Sequence, residues 1–418
     1  MTLANLFYIG VKNINILFLS LLDFDSLKEK NIYTDLLRTF RDKGHNLYIV
    51  SPVEKRKKQP TRLIYEDEVS ILKLRIGNIQ KTNNMFEKGL SILTVEQLAI
   101  SGIKKYFSNV KFDLVLYSTP PITFAKVIDF VKKRDNAKSY LLLKDIFPQN
   151  AIDIGIINKK GVTAFIYKFF RKKEKRLYQI SDYIGCMSKA NVDYLLKHNP
   201  ELPASKVHIN PNSFEVEAID TDANFKNEIY EKYNIPKNAT TFIYGGNLGK
   251  PQCISFVIDC LKANAFKDDR YFVICGSGTE YDKLYSFIES DKPSNVLLLD
   301  ELSSKEYKNF VKAFDVGLIF LDHRFTIPNF PSRILSYMEA KLPVLACTDK
   351  NTDIGDTIKN GNFGWWCESN NVADFTQKIE LAINSDLELL GENAYSYLLN
   401  NFTVDSSYKI IIDNISDN

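Results

Sequence analysis

At 418 residues, 45% hydrophobic and 25% charged, the chain has the length for two separate cores and the balance of a globular protein. Its 54 basic and 51 acidic side chains leave a formal charge of +3, too small to supply a nucleic-acid footprint. Six cysteines without a CxxC pair and four scattered histidines without an HExxH spacing give neither a disulfide framework nor a zinc pattern, which reads as a reduced, cytoplasmic protein.

Residues before Asn13 read as a short extension, too interrupted by Lys12, Asn13 and Asn15 to span a membrane and lacking a signal-peptide cleavage region. Residues 14–20 predict a buried strand, Tyr33, Leu36, Leu37 and Phe40 a helix ending at Lys43-Gly44, and residues 45–52 a second strand, together a βαβ unit. The loop before that helix has no glycine, and Asn31 is its turn-tolerant residue. A basic connection follows at 54–60, read as solvated and mobile, and then a strand at 113–118 and a helix at 121–134. The strand at 140–143 runs straight into Lys144-Asp145-Ile146-Phe147-Pro148-Gln149-Asn150. Ligands of open parallel sheets gather at the carboxyl ends of strands, so Asp145 and Gln149 are candidates to touch substrate; a turn cap before Pro148 is the other reading of Asp145. In the helix that follows, Lys168, Arg171, Lys172 and Lys175 share one face, and Phe165, Ile166, Phe169 and Phe170 mark the apolar side. Such a helix suits an anionic lipid surface, and equally a surface position with its aromatics in the core. A strand at 181–187, a helix opened by Ser188, a strand and turn at 207–213 and a polar linker at 214–227 complete this half.

The second half opens with a strand at 240–244 delivering Gly245-Gly246-Asn247-Leu248-Gly249-Lys250-Pro251-Gln252, where glycines would let backbone amides approach a phosphate. A strand at 271–275 repeats the theme with Gly276-Ser277-Gly278, without the spacing of a dinucleotide fingerprint. Strands at 295–299 and 315–319 flank a cap at Ser303-Ser304-Lys305-Glu306. The stretch from Pro328 to Ala346 then reads as a loop, a helix of two to three turns opened by Pro331, a stop at Pro343 and a buried strand. Pro331-Ser332-Arg333 offers amides, a hydroxyl and a guanidinium suited to a diphosphate. Glu339 falls on the same face as Ser332, roughly 10 Å further along the axis, about the reach from a nucleotide's phosphates to its ribose. Without a ligand the same stretch is an amphipathic helix with a proline at each end. Beyond it a short helix is expected at Gly364-Trp365-Trp366-Cys367, then helices at 371–384, 386–401 and 404–415.

These motifs resemble retaining family 4 glycosyltransferases of the GT-B fold, of the type that assembles bacterial capsule and O-antigen. The resemblance implies an α/β chain of two Rossmann-like domains facing a cleft: 1–215 for the acceptor, 216–400 for the nucleotide sugar, and a helix at 401–418 returning to the first. The run Glu339-Ala340-Lys341-Leu342-Pro343-Val344 corresponds to the family's ribose clamp. The first of its usual two glutamates falls on Pro331. Asn247 and Gln252 stand where many relatives carry arginine and lysine, which leaves Lys250 and Arg333 to neutralise the diphosphate. The implied donor site is Gly246, Asn247, Gly249, Lys250, Leu302, Pro331, Ser332, Arg333 and Glu339, with Leu302 at the nucleobase. Asn31, Asp145 and Gln149 are the implied sugar and acceptor side, and Arg333, Lys250 and Asp145 the catalytic set. No metal or other cofactor is expected. The implied partners are a nucleotide sugar, first a UDP-linked N-acetylated amino or deoxy sugar, a lipid-linked glycan acceptor, and the inner face of an anionic membrane through Lys168, Arg171, Lys172 and Lys175; nucleic acid is not among them. A noncatalytic nucleotide-binding scaffold and a nucleotide-sugar epimerase of the same fold are the alternatives. The epimerase would need cleft histidines, and the chain has few.

Overall fold

The computed structural model describes residues 13–79, 85–161, 164–217 and 223–416, so the extension read before Asn13 lies outside the described residues. Eight strands form the first sheet: β1 (Asn15–Leu19), β2 (Asn46–Glu54), β3 (Arg62–Glu66), β4 (Val69–Ile76), β5 (Leu114–Ser118), β6 (Lys138–Leu143), β7 (Tyr183–Cys186) and β8 (Val207–Ile209). Their order is β3-β4-β2-β1-β5-β6-β7-β8, parallel throughout except for β3 against β4. The second sheet holds six: β9 (Thr240–Asn247), β10 (Arg270–Ser277), β11 (Val296–Leu299), β12 (Val316–Phe320), β13 (Val344–Thr348) and β14 (Gly364–Glu368). They lie in the order β11-β10-β9-β12-β13-β14, all parallel.

Apolar runs such as Ile16-Leu17-Phe18-Leu19 are wholly buried because helices cover both faces of a parallel sheet. In each sheet the strand order reverses once, between β1 and β5 and between β9 and β12. Beyond the strand ends at such a reversal the flanking loops part and leave a crevice.

The final helix, Val404–Ser416, crosses back to the first sheet. Tyr408 is fully buried there, its ring edge-on to Phe40 at 4.9 Å and its hydroxyl 2.9 Å from His45 Nε2. Ser407 adds a hydrogen bond to Asn210 at 2.7 Å. Two Rossmann-like sheets with a returning C-terminal helix make the GT-B architecture that the resemblance implied.

Several local expectations are corrected. The run Gly364-Trp365-Trp366-Cys367 is strand β14, not a helix: it pairs with β13, and Gly364 is required because a Cβ would meet Val344 O at 2.0 Å. The short helix lies just before it, at Ile354–Asn360. The helix of the central stretch is Arg333–Glu339, so Pro331 precedes it and does not open it. Part of the expected linker is helical, within Ala223–Lys232. The basic connection after β2 is a short 3-10 turn tied by Lys57 to Asp23 at 2.7 Å and by Arg56 to Glu54 at 2.6 Å. The hairpin β3–β4 was not foreseen, because its two-residue turn, Asp67-Glu68, takes positive φ at both positions without the Asn-Gly or Asp-Gly that usually announces it. The six cysteines are free and five are buried, as their apolar surroundings suggested.

Replacing Tyr408 by alanine should destabilise the first half of the chain by about 3 kcal/mol, through a cavity beside Phe40 and the loss of the partner of His45 Nε2. Denaturant unfolding followed by hydrogen exchange on β1 and β2 would show it.

Candidate active site in the inter-sheet cleft

The carboxyl ends of β9 and β10 and the loop after β11 face the loop before the helix Ile32–Asp42 across a cavity of about 430 Å³. Its position is set by one side chain. Tyr337 is fully buried under the point where β9 and β12 part, having paired only at Val316 with Phe242 and Gly317 with Ile243. Its hydroxyl lies 2.9 Å from Leu318 O and 3.2 Å from Ile243 O, and 3.4 Å from the Gly245 amide that donates to it. Gly317 leaves room for the ring, since a Cβ there would sit 2.3 Å from it. The helix Arg333–Glu339 is thereby pinned over the reversal point of the sheet.

Arg333, at the start of that helix, is half-buried, lines the cavity, and has no carboxylate within ion-pair distance among the described residues. Its guanidinium lies over the Tyr307 ring, 4.7 Å from the centroid, an arrangement that fixes a cation without neutralising it. The glycine pair at the end of β9 makes this possible. A Cβ at Gly245 would fall 2.1 Å from the Tyr307 ring, and one at Gly246, whose φ is +143°, would fall 3.2 Å from Arg333 Nη2. These glycines therefore admit the ring and the guanidinium.

Glu339 lies at the far end of the helix and on the cavity wall, 6% exposed. Its carboxylate accepts from Lys308 Nζ at 2.9 Å and from the Glu217 amide at 3.1 Å. Lys308 also pairs with Glu217 at 2.8 Å, Glu217 with Lys30, Lys30 with Glu215 at 3.3 Å, and Glu215 with Arg38 at 3.0 Å. Hydrogen bonds from Lys30 and Lys308 hold the Glu217 carboxyl down to about 2. This alternating chain of charge links the two sides of the cleft.

The other expected donor residues divide. Gly246, Leu302 and Ser332 line the cavity. Asn247, Gly249, Lys250 and Pro331 stand outside its wall: Asn247 and the Gly249 amide both bond Gln252 Oε1, at 2.8 and 3.3 Å, and Lys250 is exposed. On the second-sheet side the lysines of the wall are Lys308 and Lys312, and Ser336 sits one turn beyond Ser332. Sequence reasoning missed all three. The signal for the lysines was their spacing of four behind the capping box of Ser303 and Glu306.

On the first-sheet side Asn31 lines the cavity, but its side chain caps the helix Ile32–Asp42, accepting from Tyr33 N at 2.9 Å and Thr34 N at 3.0 Å. Asp145 is set back at the end of β6, where Asn150 Nδ2 bonds both carboxylate oxygens at 2.9 Å and burial pushes the carboxyl up to about 6. Burial also pushes the neighbouring Lys144 ammonium down to about 7. Gln149 donates to Asp153 at 2.7 Å and to Thr326 at 3.3 Å, and so joins the two halves.

The basic helix Ala164–Ile180 also divides. Arg171 is bound to Glu174, to the His198 carbonyl at 2.9 Å and to Asn199 at 2.8 Å, and Lys175 pairs with Glu201 at 3.1 Å. Lys168 and Lys172 are exposed without ion pairs among the described residues, beside Phe165 at 77% exposure and Ile166 at 39%. Among the described residues no helix is long and apolar enough to cross a membrane. One cluster, Cys253, Asp322 and His323, has donor atoms within 4.8 Å of each other, but Arg324 Nε already bonds both Asp322 oxygens, at 2.9 and 3.1 Å.

Residues 225–397 match the family model described as "Glycosyl transferases group 1". Over 327 residues the chain is 25% identical to a probable glycosyltransferase, WbjE, of Pseudomonas aeruginosa, covering 77% of this chain and 78% of that one. Among solved structures, a glycosyltransferase from Rickettsia africae ESF-5 aligns with a TM-score of 0.67 at 17% identity, covering 98% of this chain and all (100%) of that one. Anabaena Alr3699/HepE in complex with UDP-glucose aligns with a TM-score of 0.65 at 14% identity, covering 97% of this chain and 100% of that one. At such identities the likeness to solved structures is one of fold.

The raised carboxyl of Asp145 favours the folded state fully below its unfolded value of 3.8, and that contribution is lost as pH rises through about 6. Asp145→Asn should therefore raise stability by about 2 kcal/mol at pH 8 relative to the unsubstituted protein, and show no such gain at pH 4. Thermal melts at the two pH values measure this.

Proposed function

We propose that the chain is a retaining glycosyltransferase that moves a sugar from a UDP-sugar to a lipid-linked glycan at the inner face of a membrane during surface-polysaccharide assembly. The single observation that carries the reading is Arg333: a guanidinium without a carboxylate partner among the described residues, held on an aromatic ring at the glycine-bearing end of β9. An anion is its missing partner. The family match over the second sheet, the named relative and the neighbour crystallised with UDP-glucose support a nucleotide diphosphate as that anion.

On this reading the bond from the sugar's anomeric carbon to the diphosphate breaks as charge grows on the leaving oxygen. Arg333, with Lys308 and Lys312 on the same wall, would stabilise that charge. The acceptor hydroxyl would bond to the same face of the anomeric carbon and pass its proton to the departing phosphate, so no side-chain nucleophile enters. The ribose would take Glu339, with its hydroxyls replacing the Glu217 amide as donors, and Ser336 lies on the same wall. Gln149 and Asp145 keep their acceptor-side place in this reading and Lys250 its place beside the diphosphate, all three beyond the residues that line the cavity. The exposed Phe165 and Ile166 with Lys168 and Lys172 would meet the lipid surface, aromatics entering the headgroup region and lysines meeting anionic lipid.

Arg333→Ala and Tyr307→Leu should each weaken UDP binding at least about tenfold by calorimetry, whereas Tyr307→Phe, which keeps the ring under the guanidinium, should bind as the unsubstituted protein does. Equal UDP affinity in all three variants would remove the basis of the site. A panel of UDP-sugars with membrane lipid extract then separates sugar transfer from epimerisation and from binding without turnover. For the surface, Lys168→Glu with Lys172→Glu should lower partitioning onto phosphatidylserine vesicles by about tenfold or more.

A further inference from the structure

The first sheet has its own reversal point, between β1 and β5, and a second cavity of about 380 Å³ opens at the carboxyl ends of those strands. Leu22, Tyr33, Pro121, Ile122, Phe147 and Phe170 supply most of its wall, and no charged side chain lines it among the described residues. It is distinct from the donor cavity, yet adjoins it through a single turn of chain: Asn31 and Ile32 line the donor cavity and Tyr33 lines this one. Its polar end is Tyr33, which shares the wall with Ser118 and whose phenol is pushed up by burial and by the nearby Asp145. Its other end is Phe170, packed edge-on against Phe147 with ring centroids 5.1 Å apart. Phe170 belongs to the helix Ala164–Ile180, whose earlier turns carry the exposed Phe165, Ile166 and Lys168.

We propose that this cavity holds the first apolar segment of the acceptor's lipid chain, with the acceptor's polar head turned toward Tyr33, Asp145 and the donor cavity. The inference rests on the lipid-linked acceptor proposed above and assigns where its chain enters. Three features select this occupant. The walls offer a sugar or a nucleotide only a few hydroxyls, so polar groups placed there would lose their water without replacement. The volume lies near the lower end of the range for small-molecule pockets, enough for part of a chain and too little for a whole lipid. The wall at Phe170 leads onto the helix whose exposed Phe165, Ile166 and lysines suit a lipid surface, and no described residue lining the cavity between that helix and Tyr33 is charged.

The test uses the full chain and three probes: farnesyl monophosphate below its micelle concentration, methyl phosphate as the tailless control, and UDP. Calorimetry on the unsubstituted protein should give farnesyl phosphate an affinity at least tenfold above that of methyl phosphate. Leu22→Asp, which places a carboxylate in the cavity, and Leu22→Trp, which fills it without charge, should each reduce farnesyl phosphate binding at least tenfold and leave UDP binding unchanged. Equal affinity for the tailed and tailless phosphates, or farnesyl phosphate binding that survives both substitutions, would overturn the proposal. Failure to bind UDP would count against the glycosyltransferase reading instead, and the tail dependence would still be read on its own.

Discussion

The cleft depends on how one tyrosine resolves a conflict in the second sheet. Where β9 and β12 part, the carbonyls of Ile243 and Leu318 and the amide of Gly245 lose the partners a continuous ladder would give them. Tyr337 reaches all three with one hydroxyl. Leaving such groups buried and unpaired would cost about 1–3 kcal/mol each, so the helix carrying Tyr337 is held in one orientation. That orientation puts Arg333 at the strand ends and Glu339 two turns away on the same wall. The reversal of strand order creates the opening, and the group that stabilises the opening also orients Arg333 and Glu339 on its wall.

A second layer of organisation is electrostatic. Lysines and glutamates alternate from Arg38 and Lys30 on one side to Lys308 and Glu339 on the other, by way of Glu215 and Glu217 in the connecting chain. Because Glu217 bonds Lys30 and Lys308 together, and its amide occupies Glu339, the connecting segment belongs to the cleft wall. A ligand that takes Glu339 changes the partners of a segment contributed by neither sheet.

Much of this could be read from the chain. The apolar runs ending in Gly245-Gly246 and Gly276, the helix cap at Ser303 and the Pro331-Ser332-Arg333 stretch located the second sheet and the cleft-facing helix. What escaped was decided by tertiary packing. Gly245 and Gly246 suggested phosphate contact, whereas the space they leave is filled by Tyr307 and Arg333. Lys250 was singled out for its place in a glycine turn, while Lys308 and Lys312 reach the cavity only because their helix turns that face inward. Gly364-Trp365-Trp366-Cys367 has no strand-like alternation and pairs with β13 because Gly364 lets the two backbones meet. The hairpin turn at Asp67-Glu68 and the ties of Arg171 were hidden for the same reason: neither partner chemistry nor positive φ is written in local sequence.

The two passages of chain between the halves also touch. Phe214 donates its amide to Phe402 O at 3.3 Å and forms a bridge with Thr403, so the outgoing and returning segments lie bonded side by side. A single strand of backbone would act as a swivel, free to turn in any direction. Two bonded strands act as a door hinge: they allow the halves to swing about one line and resist rotation across it. Gln149 and Thr326 meet across the halves as well, a contact that such a swing would have to break or carry along.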